Sequence, residues 1–166
     1  MAKEKTLDDL FYDTLKDIYY AERKILKALP KMARGAQSTD LKAAFEKHRE
    51  QTEGHVERLQ QVFEAIGKRA QAKTCEAIEG IIAEGEEIMD TFKSTPALDA
   101  GLISAAQAVE HYEIARYGTL RTWAEQLGLK DAAKLLEMTL KEEEQTDQDL
   151  TKLAVANSNV KATKVA

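Results

Sequence analysis

This chain of 166 residues has one cysteine, two prolines and one tryptophan. Each scarcity excludes something. A lone thiol, Cys75, cannot form an internal disulfide and fits a reducing cytosol. With only Pro30 and Pro96, long stretches are free of the residue that breaks helices. No run approaches the roughly 20 apolar residues that a membrane-spanning helix needs. The opening, Met1-Ala-Lys-Glu-Lys5, leads into an amphipathic segment rather than a short apolar one, so a secretory signal is not expected. Basic residues do not dominate either: 24 lysines and arginines alternate with 29 acids, for a net charge of −5. No basic stripe tracks a phosphate backbone, and nucleic acid is not an expected partner. The composition implies a cytoplasmic protein with no membrane association.

What remains favours helix, because Ala, Glu, Lys, Leu and Gln dominate. The length suits one domain that buries roughly 70% of the unfolded surface. A first helix is expected from Thr6, which caps it, to Gly35. Its apolar stripe runs Leu7, Leu10, Phe11, Thr14, Ile18, Ala21, Ile25, Leu29, Met32, and Pro30 should kink or loosen it. The second runs from Ser38–Asp40 to Gly67, with Leu41, Phe45, His48, Thr52, His55, Leu59, Val62 and Ile66 inward. A shorter helix opens at Thr74. Thr95-Pro96 places a cap before a proline at the first helical position and starts a third long helix that ends at Gly128. The fourth carries Leu136, Leu140, Glu143, Asp147 and Leu150. Short first and third links force antiparallel hairpins, and the insertion lets the second helix cross the bundle to the third. The expected fold is all-α: a ferritin-like four-helix bundle with an extra short helix in the crossover between the second and third long helices. The domain spans 1–156, followed by a flexible tail, 157–166.

Charged groups fall on faces that should be buried. Glu22, His48, His55, Glu113, Glu143 and Asp147 lie within the apolar stripes, and Glu110 sits at the shoulder of one. A buried ionised carboxylate costs several kcal/mol or more unless it is paired or binds a cation. A metal centre between helices answers that cost. The usual bundle site takes one Glu from each of two helices and a Glu-x-x-His from each of the others. No Glu-x-x-His occurs here, so position supports a metal site better than motif does. The third helix offers Glu110-x-x-Glu113, the fourth Glu143 and Asp147 one turn apart. The second is the weak quarter, with His48, Gln51, Thr52 and His55 inward. Plainer roles compete. An inward Glu can snorkel, an inward His can be a hydrogen-bonded core residue, and Arg116, placed on the core side, can neutralise a carboxylate without metal. His111, Glu142 and Glu144 read as solvated. The five tyrosines can hydrogen-bond ligands or simply pack.

Several segments resemble the YciF family of bacterial stress-induced proteins. They are Tyr20-Ala-Glu-Arg-Lys24, His48-Arg-Glu-Gln-Thr52 with Arg58-Leu59, Val109-Glu-His-Tyr-Glu-Ile-Ala-Arg-Tyr-Gly-Thr-Leu120 with Ala124-Glu-Gln-Leu-Gly128, and Leu140-Lys-Glu-Glu-Glu-Gln-Thr-Asp147. Together they cover nearly the whole chain in order. The resemblance implies a ferritin-like fold related to rubrerythrin, a di-metal centre of iron or manganese with two ions, and a homodimer. It implies Glu22, Glu110, Glu113, Glu143 and Asp147 as metal-site residues, with His48 beside them. Relatives often carry Glu where this chain has Gln51, and Gln where it has His55; the resemblance thus implies a weaker site or a changed metal preference at Gln51, which His55, one turn further on, could offset.

Two functions follow. One is a di-metal oxidoreductase that oxidises ferrous iron or consumes peroxide, with oxygen or peroxide as the small-molecule substrate. The other is a non-catalytic interaction module with a structural or vestigial metal site, whose contact surface would be Ile81, Ile88, Met89 and Phe92 of the short helix.

Overall fold

The structure, a computed structural model, describes residues 4–164. Among them there is helix and no strand. The long helices are α1 (Leu7–Gly35), α2 (Thr39–Ala65), α4 (Leu98–Gln126) and α5 (Lys130–Leu153), and the shorter α3 (Glu76–Thr91) lies between α2 and α4 in sequence. α1 packs on α2 and α4, and α5 packs on the same two, which closes a ring of four around one core. α3 lies outside this ring against α1 and α4.

The ends follow local chemistry. The Thr6 amide donates to Asp9 Oδ2 at 2.9 Å, one half of a capping box. Ser38 Oγ accepts from the Leu41 amide at the start of α2. Gly67 and Gly128, at φ +67° and +72°, supply the left-handed turns that follow α2 and α4. α1 continues through Pro30 without a break. Thr95 and Pro96 form a turn ahead of α4 rather than its first residues, and the helix proper begins at Leu98.

One tie across the fold was not anticipated. Asp99, buried at the start of α4, accepts from the backbone amides of Gln37 and Ser38 at 2.7 and 2.8 Å. It fixes the link between α1 and α2 to the far hairpin. α3 seats closely because Gly101 faces it: a Cβ there would lie 2.6 Å from Ile88 Cγ2.

Two expectations change. Ile81 and Met89 pack against the core and Ile88 is half-buried, which leaves Phe92 as the one well-exposed member of the proposed contact surface. The tail from Asn157 is helical, not irregular: α5 loosens into a π-helical turn, Ala154–Ser158, and continues as α6 (Asn159–Ala162), with Ser158 buried. Val165 and Ala166 lie outside the described residues. Among the described residues, no helix is long and apolar enough to cross a membrane.

Candidate metal centre

The bundle core is apolar above and below but ionisable in the middle. Each wall contributes from an inward helical phase: Glu22 from α1, His48 and His55 from α2, Glu110 and Glu113 from α4, Glu143 from α5. His48 and His55 are seven residues apart, two turns on one face. All six are buried: Glu22, His55, Glu113 and Glu143 are 0% exposed, Glu110 1% and His48 4%.

These six residues form two overlapping donor groups. His48, Glu110, Glu113 and Glu143 make one; Glu22, His55 and Glu143 make the other; within each group the ligand atoms lie within 4.8 Å of one another. Glu143 belongs to both. His55 Nδ1 is 2.8 Å from Glu143 Oε1 and 3.4 Å from Glu22 Oε1, while His48 Nε2 is 3.1 Å from Glu110 Oε1 and 3.8 Å from Glu143 Oε2.

Close approach is not hydrogen bonding here. Eight buried atoms of the cluster have no aligned partner: Glu22 Oε2, His48 Nε2, His55 Nδ1, Glu110 Oε2 and both oxygens of Glu113 and of Glu143. Among the described residues only two other buried side-chain polar atoms share that condition, Arg121 Nε and Glu137 Oε2. Orphaned buried polar atoms are rare and costly in native proteins. Carboxylate oxygens and imidazole nitrogens converging on common points are the donor set that iron and manganese accept. The residues present therefore fit a metal ion.

Electrostatics point the same way. Burial pushes the Glu110 carboxyl up to about 8, with Glu22 and Asp147 adding to the effect. Burial likewise raises Glu143 to about 8, against the pull of His55. Glu113 rises well above the carboxylate range through burial and the charges of Glu143, Glu22 and Glu110. Burial disfavours a charged His55, yet Glu22 and Glu143 outweigh it and raise the imidazole to about 11. Without a cation, protons must fill the cluster.

A supporting shell holds these side chains. Glu142 Oε2 lies 2.7 Å from His55 Nε2, and Arg58 grips both Glu142 oxygens at 3.1 Å while donating to Thr139 Oγ1 at 2.7 Å. With Nε2–H given to Glu142, the other nitrogen of His55, Nδ1, faces Glu143 and Glu22. This carboxylate–histidine pairing fixes the tautomer and orientation of a metal-ligating imidazole. The buried Tyr117 hydroxyl donates to Glu22 Oε1. Thr52 donates to the His48 carbonyl at 2.9 Å, and Thr146 Oγ1 lies 3.4 Å from His48 Nδ1.

Of the residues singled out in the sequence, the structure brings together Glu22, His48, His55, Glu110, Glu113 and Glu143. Asp147 lies outside both donor groups. It is partly exposed, and its Oδ1 takes up His111 Nε2 at 3.2 Å and Gln107 Nε2 at 3.0 Å. His111 is thus exposed but paired. Gln51 is half-buried and is in neither group. Arg116 is exposed and stacks over the Tyr112 ring, so it does not neutralise the core carboxylates. Glu142, taken for a surface acid, is the residue that sequence reasoning missed. Its only signal was Arg58 and His55, one turn apart on a facing helix.

Comparison with known proteins agrees in sequence and in shape. The family model described as "Domain of unknown function (DUF892)" matches residues 6–163. Protein YciF of Escherichia coli K12 is 48% identical over 159 residues, 95% of this chain and 96% of that protein. The crystal structure of the E. coli stress protein YciF superposes with a TM-score of 0.90 at 47% identity, covering 94% of this chain and 99% of that one. YcfI of Rhodopseudomonas palustris gives 0.87 at 43% identity, covering 91% and 97%. With its sequence matched almost end to end and its helices superposed, this chain belongs to the YciF (DUF892) family.

Proposed function

We propose that the bundle is ferritin-like, that it holds two ions of iron or manganese at its core, and that the pair serves redox chemistry with oxygen or peroxide during stress. The observation that carries this reading is the pair of donor groups sharing Glu143, with eight buried atoms left without hydrogen-bond partners. When bound, such ions supply one-electron steps in each direction and open positions for an oxygen ligand.

The side chains do the rest. Glu22 and His55 would hold one ion and His48, Glu110 and Glu113 the other, with Glu143 a member of both donor groups. Four carboxylates balance two divalent cations, so the loaded core is neutral and the cost of buried charge is offset. Glu142 orients His55, and Tyr117 orients Glu22. Apolar side chains of the core surround the site.

The interaction-module reading loses support, since most of the α3 apolar surface packs inward. A homodimer, as the resemblance implies, and a cytoplasmic location, as the composition implies, belong to the same proposal. The test is consumption of ferrous iron and of hydrogen peroxide by metal-loaded protein, measured beside Glu143→Ala. Turnover by the wild type and none by the variant supports redox function. Equal rates in both would refute it.

A further inference from the structure

An apolar cavity of about 110 Å³ opens between α3 and the bundle. Ile25 and Met32 of α1, Phe45 of α2, and Ile82 and Met89 of α3 form its walls. Lys31, Lys47 and Glu86, all exposed, and the half-buried Asp149 stand at its solvent end. His48 and Glu110 line it too, and both are buried, so they mark its inner end. His48 Nε2 and Glu110 Oε2 are two of the unpartnered atoms of the metal cluster. Glu22 and His55 do not line the cavity. It approaches the cluster from one side only.

Its chemistry selects an occupant. An aliphatic cavity favours an apolar body, each buried methylene being worth about fourfold in affinity. A volume somewhat below the roughly 150 Å³ that accommodates benzene limits that body to about six carbons. The polar end must also be neutral. Four carboxylates already match two divalent cations, so an anionic head would add uncompensated charge beside Glu110 and Glu143. The solvent-end lysines offer little: Lys31 is engaged by Glu86 at 3.1 Å and Lys47 lies 4.0 Å from Asp149.

We propose that this cavity binds a short, neutral alkyl compound ending in a hydroxyl or hydroperoxyl oxygen. The apolar body lies between α1, α2 and α3, and the oxygen end meets His48 and Glu110. The inference deepens the redox reading by naming alkyl peroxides as the peroxide class. It rests on that reading for the oxygen end alone; the apolar contacts stand without it.

Methionine-methyl NMR tests this, because Met32 and Met89 line the cavity whereas Met138 is exposed elsewhere. The protein, with 13C-labelled methionine methyls, is loaded with zinc as a diamagnetic stand-in and titrated with 1-hexanol, 1-butanol and hexanoate. The expected result is saturable shifts at Met32 and Met89 but not at Met138. Hexanol should bind about fifteenfold tighter than butanol and at least tenfold tighter than hexanoate. Ala28→Phe and Ala44→Phe, both at half-buried positions of the lining, should each abolish the shifts while leaving the Met138 signal of the folded protein in place. Absence of saturation, equal response at Met138, or unchanged binding in both variants overturns the site. Hexanoate binding as tightly as hexanol overturns the neutral head. Hexanol binding to protein that takes up no metal would sink the metal reading yet sustain the cavity.

Discussion

A site built for cations should weaken the fold when empty, and Glu110 shows by how much. In the metal-free protein its carboxyl is raised from 4.5 to about 8. The folded state therefore holds a proton that the unfolded chain releases between those values. Stability from this group is fully present below 4.5 and is lost as pH rises toward 8. At pH 7.5, three pH units above the unfolded value correspond to about 4 kcal/mol. Glu110→Gln removes that dependence and supplies an amide that can donate to the unpartnered oxygens of Glu143 or Glu113. Glu143 and His55 take up part of the change, so a gain of about 2 kcal/mol is expected. For a chain of this size that raises Tm by about 4–8 °C. The assay is thermal unfolding by circular dichroism of chelator-treated protein at pH 5 and pH 7.5. The variant should match the wild type within about 1 kcal/mol at pH 5 and exceed it at pH 7.5. Metal-loaded, the order should invert, because one donor has been removed. A metal-free variant less stable than wild type at pH 7.5 would refute the reasoning.

Other side chains carry distinct expectations. Glu142→Gln should weaken metal affinity by about 10- to 100-fold with little effect on the metal-free fold, since it frees the His55 ring; competition with a chelator measures this. Asp147→Asn should leave metal stoichiometry unchanged, because His111 and Gln107, not the cluster, hold that carboxylate. Asp99→Ala should cost about 1–3 kcal/mol in denaturant unfolding with metal content intact, through loss of the bonds from Gln37 and Ser38.

Helical phase made much of this legible. Apolar residues three and four apart put Glu22, His48, His55, Glu113 and Glu143 on inward faces, and Glu110, at the shoulder of its stripe, is buried beside them. Phase alone does not say how far a side chain travels toward a partner. Asp147 sits one turn beyond Glu143, yet α4 presents His111 and Gln107 to it, and it stays with them at the surface. Arg116 is one residue from Tyr117, and the ring takes the interior. Glu142 adjoins Glu143 at about 100° around the helix, which aims it at the seam with α2, where His55 and Arg58 reach it. Seams between helices are tertiary facts. So is the hold of Asp99 on the first hairpin, made across 61 and 62 residues of chain. The helical path through Ala154–Ala162 had too few large apolar residues to announce itself.

Elemental analysis of protein purified without tag or chelator, beside Glu143→Ala, tests the central claim most directly. Two donor groups that share Glu143 predict close to two equivalents of iron or manganese per chain, both lost in the variant. Absence of bound metal after reconstitution, or equal content in the variant, would contradict the account.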